Sequence, residues 1–122
     1  MTIQTRRARQ KALLRQEIVD AARDILAHEG YAQLSMRKVA ERIDYSPTAI
    51  SLHVEDKRDL VFQVCEDTFG KLVVELESLE PEFKDPVLRL REGMRRYVAF
   101  GLHHPEHYIA TVIAVPYEQL PW

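Results

Sequence analysis

Apolar residues recur three and four positions apart over residues 13–29, with charged residues between them. This spacing places them on one face of an α-helix and predicts an amphipathic first helix. The apolar residues of that face are Leu14, Ile18, Ala22, Ile25 and Leu26. Gly30 follows, and glycine ends a helix readily because it adopts left-handed backbone angles at little cost. The pattern therefore predicts a helix that ends at Glu29.

Two short helices joined by a tight turn are predicted next. Ser35 offers a side-chain oxygen to the start of a helix at residues 36–43. Residues 44–46 then form the turn, because aspartate at position 44 tolerates left-handed backbone angles better than most residues. Pro47 suits the first position of a third helix, where its missing N–H costs nothing, and this helix runs to about His53.

Three longer helices are predicted in the rest of the chain. Asp56 caps a long helix with an apolar stripe that ends near Pro81. Residues 80–86 are polar, contain two prolines and predict a linker. Further helices follow at about residues 87–102 and 105–115, so the whole chain is predicted to be all-α.

Composition agrees with this fold class. The chain has 122 residues, of which 46% are hydrophobic, and only 4 glycines and 6 prolines, so few hairpin turns are expected. The single cysteine, Cys65, excludes an intrachain disulfide, and its place in an apolar stripe favours a small buried side chain over a nucleophile. The apolar run at residues 109–115 is too short to cross a bilayer. We expect a cytoplasmic protein without membrane contact.

Charge is distributed unevenly along the chain. Residues 1–60 carry 11 basic and 9 acidic side chains, whereas residues 61–122 carry 6 and 10. The first 15 residues contain five lysines or arginines and no acid. An arm that lies along a phosphate backbone needs this composition, and a solvated tail explains it equally well. Residues 1–12 are therefore interpreted as a basic arm.

The turn at residues 44–46 has the packing pattern of a helix-turn-helix. Two short helices that cross steeply need a small residue at their contact, and Ala40 is suited to that place. The residues expected to pack around it are Val39, Ile43, Tyr45 and Ile50. The residues expected to project outward from the third helix are Pro47, Thr48, Ser51 and Leu52. An ordinary helical corner would explain the packing, but this outward face has few charges and suits base edges and thymine methyl groups in a major groove.

The segment EGYAQLSMRKVAERIDYSPTAISLHVEDKRDL resembles the DNA-binding domain of the tetracycline-repressor (TetR) family, and the resemblance covers about residues 10–65. It implies that Arg37 reads a base, Lys57 binds a phosphate and His53 lies near the DNA backbone. Two positions depart from the family: Asp44 replaces a common turn glycine, and Ser51 replaces a tyrosine that contacts phosphate. The complete set of expected DNA-contacting residues is Ser35, Arg37, Lys38, Ser46, Pro47, Thr48, Ser51, Leu52, His53 and Lys57.

The segment YVAFGLHHPEHYIA is similar, more weakly, to the junction of the fifth and sixth helices in this family. The resemblance implies that residues 61–122 are the first part of a domain for effector binding and dimerisation, truncated after the sixth helix. Residues expected to line an effector pocket are Tyr97, Phe100, His104, Tyr108 and Trp122, although aromatic residues at helical spacing also suit a plain core. The histidines at 103, 104 and 107 suggest a metal, but Pro105 interrupts the helix that would align them, so no metal or cofactor is expected.

Three functions remain as alternatives at this point. The first is a transcriptional regulator, usually a repressor in this family, which as a homodimer binds a palindromic operator in double-stranded DNA and is released by a small-molecule effector. Its domain for DNA binding would be residues 13–60. The second is a helical protein-interaction module without specific DNA binding. The third is a metal-dependent hydrolase, although the chain is expected not to be an enzyme.

Overall fold

Seven α-helices form the part of the chain that the computed structural model describes, residues 2–114. The helices are α1 (Ile3–Glu29), α2 (Met36–Ile43), α3 (Pro47–Ser51), α4 (Lys57–Glu77), α5 (Leu79–Glu82), α6 (Pro86–His103) and α7 (Pro105–Ala114). A 3-10 turn, Tyr31–Gln33, connects α1 to α2. No strand occurs between residues 2 and 114, which confirms the all-α prediction.

Helix α1 begins ten residues earlier than predicted. The Thr2 hydroxyl oxygen caps it by accepting a hydrogen bond from the backbone N–H of Thr5 at 3.2 Å. The residues that follow are mostly strong helix formers, and the first glycine of the chain is Gly30, where α1 ends. The prediction of a separate arm at residues 1–12 was therefore wrong. An exposed helix buries no apolar face, so it leaves no periodic pattern in the sequence.

The helices around the tight turn have the caps that the sequence predicted. The Ser35 hydroxyl accepts from the backbone N–H of Lys38 at 3.0 Å, and α2 has the predicted bounds. Asp44 ends α2 in the left-handed conformation, with φ 60° and ψ 44°. Helix α3 ends at Ser51 rather than near His53, because the backbone N–H groups of residues 53 and 54 both bond to the carbonyl of Ile50 and tighten the chain there.

The region near Pro81 differs from the prediction. Helix α4 ends at Glu77, and the predicted linker instead begins with the short helix α5. Pro81 is tolerated there because the first turn of a helix makes no hydrogen bonds through its N–H groups. Helices α6 and α7 lie within one residue of their predicted starts, while the predicted end at Val115, the expected pocket residue Trp122 and the last two prolines lie outside the described residues.

One apolar core unites residues from both halves of the chain. Four of the five residues of the predicted α1 face are fully buried in it, Leu14 is partly buried, and Val19 and Ala21, which were not predicted, are buried as well. Helices α2, α3 and α4, the connecting residues Leu34 and Val54, and Ala110 of α7 contribute the rest. The predicted domain boundary between residues 60 and 61 falls inside α4. Leu60 and Val61 on either side of it are equally buried in this core. Cys65 also lies there, where burial raises the pKa of its thiol.

Ion pairs between helices surround this core. Arg23 of α1 pairs with Asp67 of α4, and Arg42 of α2 pairs with Asp24 of α1. These side chains are partly exposed, so each pair contributes at most about 1 kcal/mol, and burial of the apolar residues holds the fold. None of the helices within residues 2–114 has the length and apolar character that a membrane-spanning segment requires.

His107 of α7 is the most deeply buried ionisable side chain of this core, with 1% of its surface exposed. Neither ring nitrogen has a hydrogen-bond partner in the described part of the chain. Burial, together with the positive charges of His104 and Arg23, lowers the pKa of His107 to about 4. The imidazole is therefore neutral at pH 7.

The left-handed conformation at Asp44 predicts opposite effects for two substitutions. Asp44→Ala should lower the free energy of unfolding by about 1 kcal/mol, because a Cβ without a compensating polar group is strained there. Asp44→Gly should preserve it or raise it by up to about 1 kcal/mol. Urea unfolding of both variants measures this, and an equal loss in both would show that the aspartate side chain, rather than its backbone, holds the turn.

The lowered pKa of His107 predicts that the fold weakens in acid. The unfolded chain takes up the proton near pH 6.5 and the folded chain only near pH 4, so stability is fully present above about pH 6.5 and falls as pH drops through this window. The loss should be on the order of 3 kcal/mol. His107→Leu should remove this part of the dependence in urea unfolding at pH 7 and pH 4. His28→Gln, on the exposed side of α1, should retain it.

Candidate nucleic-acid interface

Helices α2 and α3 pack against each other as the sequence predicted. Val39 and Ala40 of α2 and Ile50 of α3 are completely buried or nearly so, and Ile43 is partly buried. Because one side of α3 is fixed in the core by Ile50, its other side must face solvent. Tyr45 is an exception to the prediction, since 43% of its surface is exposed and it does not close the core.

The outer face of α3 carries short side chains without charge. Pro47, Thr48 and Ser51 are exposed, and Leu52 is 78% exposed. The Ser46 hydroxyl caps the helix by accepting from the backbone N–H of Ala49 at 3.1 Å. The Ser51 hydroxyl donates to the carbonyl oxygen of Pro47 at 3.0 Å, so the side chain lies close to the helix. The whole face is accessible to a large partner.

Arg37 and Lys38 follow the N-cap residue of α2, but their side chains differ in how exposed they are and how readily they could bind another anion. The Arg37 side chain is 84% exposed and its Nε lies 3.2 Å from a carboxylate oxygen of Glu41. A surface pair of this kind contributes about 0–1 kcal/mol and exchanges easily for another anion. Lys38 pairs with Glu29 at the end of α1, and both side chains are only about one third exposed. Lys38 therefore connects α1 to α2 in the structure.

Lys57 begins α4 and folds back over the 3-10 turn. Its Nζ donates a hydrogen bond to the carbonyl oxygen of Tyr31 at 2.6 Å and lies 4.0 Å from the centre of the Tyr31 ring. Partial burial lowers the pKa of the ammonium group. An ammonium group has three donors, so two remain for an anion beside the start of α4, where helix N–H groups also favour negative charge.

An open groove of about 670 Å³ lies between the middle of α1 and the residues that flank α3 on either side. Its lining residues are Gln10, Lys11, Leu13, Leu14, Glu17, Tyr45, Leu52 and His53. Leu52 and His53 were predicted at the interface, but the wall formed by α1 was not. Of the five basic residues before Glu17, Lys11 lines the groove, and nothing in the sequence alone located it beside α3.

The residues expected to line an effector pocket mostly pack against one another. The Phe69 ring centre lies 5.3 Å from that of Phe100 and 5.2 Å from that of Tyr108, and the His104 ring is 4.6 Å from Phe100. The Tyr108 hydroxyl is buried without a hydrogen-bond partner in the described residues, and burial, together with the neighbouring Tyr97, raises its pKa to about 12. These rings form an aromatic cluster between α4, α6 and α7.

A second groove, of about 510 Å³, lies where α6 packs on α4 and α5. Its lining is almost entirely apolar and consists of Leu76, Leu79, Pro86, Arg89, Leu90, Gly93, Met94, Tyr97 and Val98. Of the expected pocket residues, Tyr97 alone lines it. Within the described residues, no group of three or more histidine, cysteine or acidic side chains is arranged to hold a metal ion.

Comparison with known sequences finds the same family that the motifs indicate. Residues 18–64 match the family described as bacterial regulatory proteins, tetR family. The chain is 35% identical over 101 residues to an HTH-type transcriptional regulator of Saccharopolyspora erythraea, covering 82% of this chain and 41% of the relative. It is 24% identical over 105 residues to the fatty acid metabolism regulator protein of Bacillus subtilis, covering 84% and 52%. The chain thus spans about half the length of these curated relatives.

Solved structures share the fold over most of the chain. The fatty acid degradation regulator FadR from Bacillus halodurans superposes with a TM-score of 0.66 at 22% identity, over 83% of this chain and 53% of that one. A TetR-family transcriptional regulator from Haemophilus influenzae gives a TM-score of 0.52 at 26% identity, over 92% and 60%. The family match at residues 18–64 includes α2, α3 and most of the core that holds them. Residues 18–64 of the chain therefore carry the domain of the tetR family of bacterial regulatory proteins.

Proposed function

We propose that the chain is the DNA-binding part of a transcriptional regulator that inserts α3 into the major groove of double-stranded DNA. The observation that supports this proposal is that α3 has one buried face and one exposed face. Ile50 anchors its inner face in the core, while its outer face exposes small uncharged side chains. Such side chains approach base edges and thymine methyl groups closely. The family membership of residues 18–64 supports the same use.

The proposed contacts divide into two kinds. Thr48, Ser51 and Leu52 face the bases, and Arg37 reaches a base edge after exchanging its pair with Glu41. Phosphates are bound by residues at helix starts and beside the groove, which are Ser35, Ser46, His53 and Lys57. Pro47 has no hydrogen-bond donor and contacts the DNA only by packing. Lys38 should contribute less to DNA binding than the sequence predicted, because its ammonium group already pairs with Glu29.

We infer that the protein acts as a homodimeric repressor on a palindromic operator and that a small molecule releases it. Two half-sites about 34–36 Å apart would each take one copy of α3. The apolar groove between α6 and helices α4 and α5 supports an effector with an apolar body. Relatives and structural neighbours named for fatty acid metabolism and degradation suggest a long acyl chain as the first class to test.

A protein-interaction module is the competing function, because several apolar side chains of α6 are exposed. Those side chains are Val87, Leu88, Leu90, Met94, Val98 and Leu102. They lie on a different helix from the proposed DNA surface. Salt separates the two functions, since binding to phosphates weakens steeply with salt and apolar docking does not.

Selection from a random duplex DNA pool tests the proposed function directly. The purified chain should retain duplexes that share a sequence motif, and raising the salt concentration should release them, because each neutralised phosphate contributes about 0.9 to the slope of log affinity against log salt. Adding a long-chain fatty acid or its thioester to the retained complex tests the effector. Retention of no common motif at any salt concentration would leave the interaction module as the better function.

The two kinds of contact predict different losses. Arg37→Ala should weaken binding to the selected duplex by roughly 1–3 kcal/mol and relax the preference at one base pair. Lys57→Ala should weaken binding to all duplexes about equally. Arg91→Ala, on the exposed side of α6, serves as the control and should change neither. Equal, sequence-independent losses for Arg37→Ala and Lys57→Ala would contradict these roles.

A further inference from the structure

Helix α1 forms one wall of the groove beside α3, and the charged residues of this wall are Lys11 and Glu17. Leu52 and His53 line the groove from the other side. The chain contains no acidic residue before Glu17, so the first four turns of α1 carry only positive charge. The proposed function, on which this inference rests, assigns α3 to the major groove but leaves this wall unused.

The pitch of the helix determines which basic side chains belong to the groove. Arg6 lies four residues before Gln10, and Arg7 lies four residues before Lys11, so both continue the lined face one turn outward. At about 100° per residue, they lie roughly 50° to either side of the centre of the lined face. Arg9 and Arg15 lie more than roughly 100° from that centre.

The dimensions of DNA identify what this groove would hold. A major groove is about 12 Å wide and a helix with its side chains is about 10–12 Å across, so a helix in the groove is bordered closely by a phosphate strand on each side. A wall beside α3 therefore meets a phosphate strand rather than bases. Lys11 lines the groove, and Arg6 and Arg7 extend its wall outward, so all three match the negative charge of a phosphate strand. Glu17 lies at the opposite end of the wall, away from the arginines, and Leu13 and Leu14 suit the sugars.

We propose that the groove between α1 and α3 holds one phosphate strand of the bound duplex, and that Arg6, Arg7 and Lys11 contact its phosphates. The amino-terminal half of α1 is thus a second, sequence-independent DNA-binding surface. It extends the contact beyond the base pairs that α3 reads. Because its contacts go to phosphates, it should contribute equally on every DNA sequence.

Two variants with matched charge test this proposal. Arg6→Gln/Arg7→Gln and Arg9→Gln/Arg15→Gln each remove two positive charges from α1, and glutamine preserves the helix. The dissociation constant of the whole 122-residue chain for a selected duplex is measured between 50 and 200 mM salt. Arg6→Gln/Arg7→Gln should reduce the slope of log affinity against log salt concentration by about 1.8. Between 50 and 200 mM salt, the wild-type chain should therefore lose roughly tenfold more affinity than this variant. The second should change the slope by less than half as much.

Equal slope changes in the two variants would overturn the proposal, because they would show that the positive charge acts diffusely rather than through the groove face. Unchanged slopes in both would overturn it as well. Lys11→Gln should add about 0.9 to the slope change of the first variant. Binding of the wild-type chain to all duplexes without sequence preference would count against the proposed function. In that case, the salt slopes of the two variants on an unselected duplex would still test whether the groove face of α1 contacts phosphates. Circular dichroism confirms that both variants remain helical.

Discussion

Burial of one face of α1 against α2, α4 and α7 is the interaction on which the rest of the molecule depends. Ile18, Ala22 and Ile25 are completely excluded from solvent, and the side chains that cover them come from every helix that supports the DNA-binding surface. Helix α3 has five residues and could not persist alone, because isolated helices of that length are unstable in water. Its orientation is therefore a property of the core around α1.

The sequence predicted elements well where a local signal exists. The side-chain caps at Ser35 and Asp56, the proline at position 47 and the glycine that ends α1 placed most boundaries, since each signal depends on residues at most three positions away. The outward face of α3 was predicted for the same reason, because periodicity alone assigns Ile50 to the core. The start of α1 was missed because an exposed helix leaves no apolar pattern.

Contacts between distant residues could not be predicted in this way. Lys57 was expected to be free for a phosphate, but it bonds to Tyr31, which lies 26 residues earlier in the chain. The expected effector pocket stays a prediction for a related reason, because apolar periodicity cannot distinguish rings that line a cavity from rings that fill one. The resemblance to a family supplied the role of α3, whereas the groove beside it depends on how α1 and α3 pack in three dimensions.

Ala110 and His107 of α7 are buried against the core that α1 shares, so α7 and α1 are packed firmly together. Protein interiors are packed as densely as organic crystals, so α7 cannot shift without opening a void beside α1 or forcing α1 to follow. A displacement of α7 near the aromatic cluster would thus move α1 as well, and the middle of α1 lines the groove beside α3. Dense packing alone would transmit such a displacement.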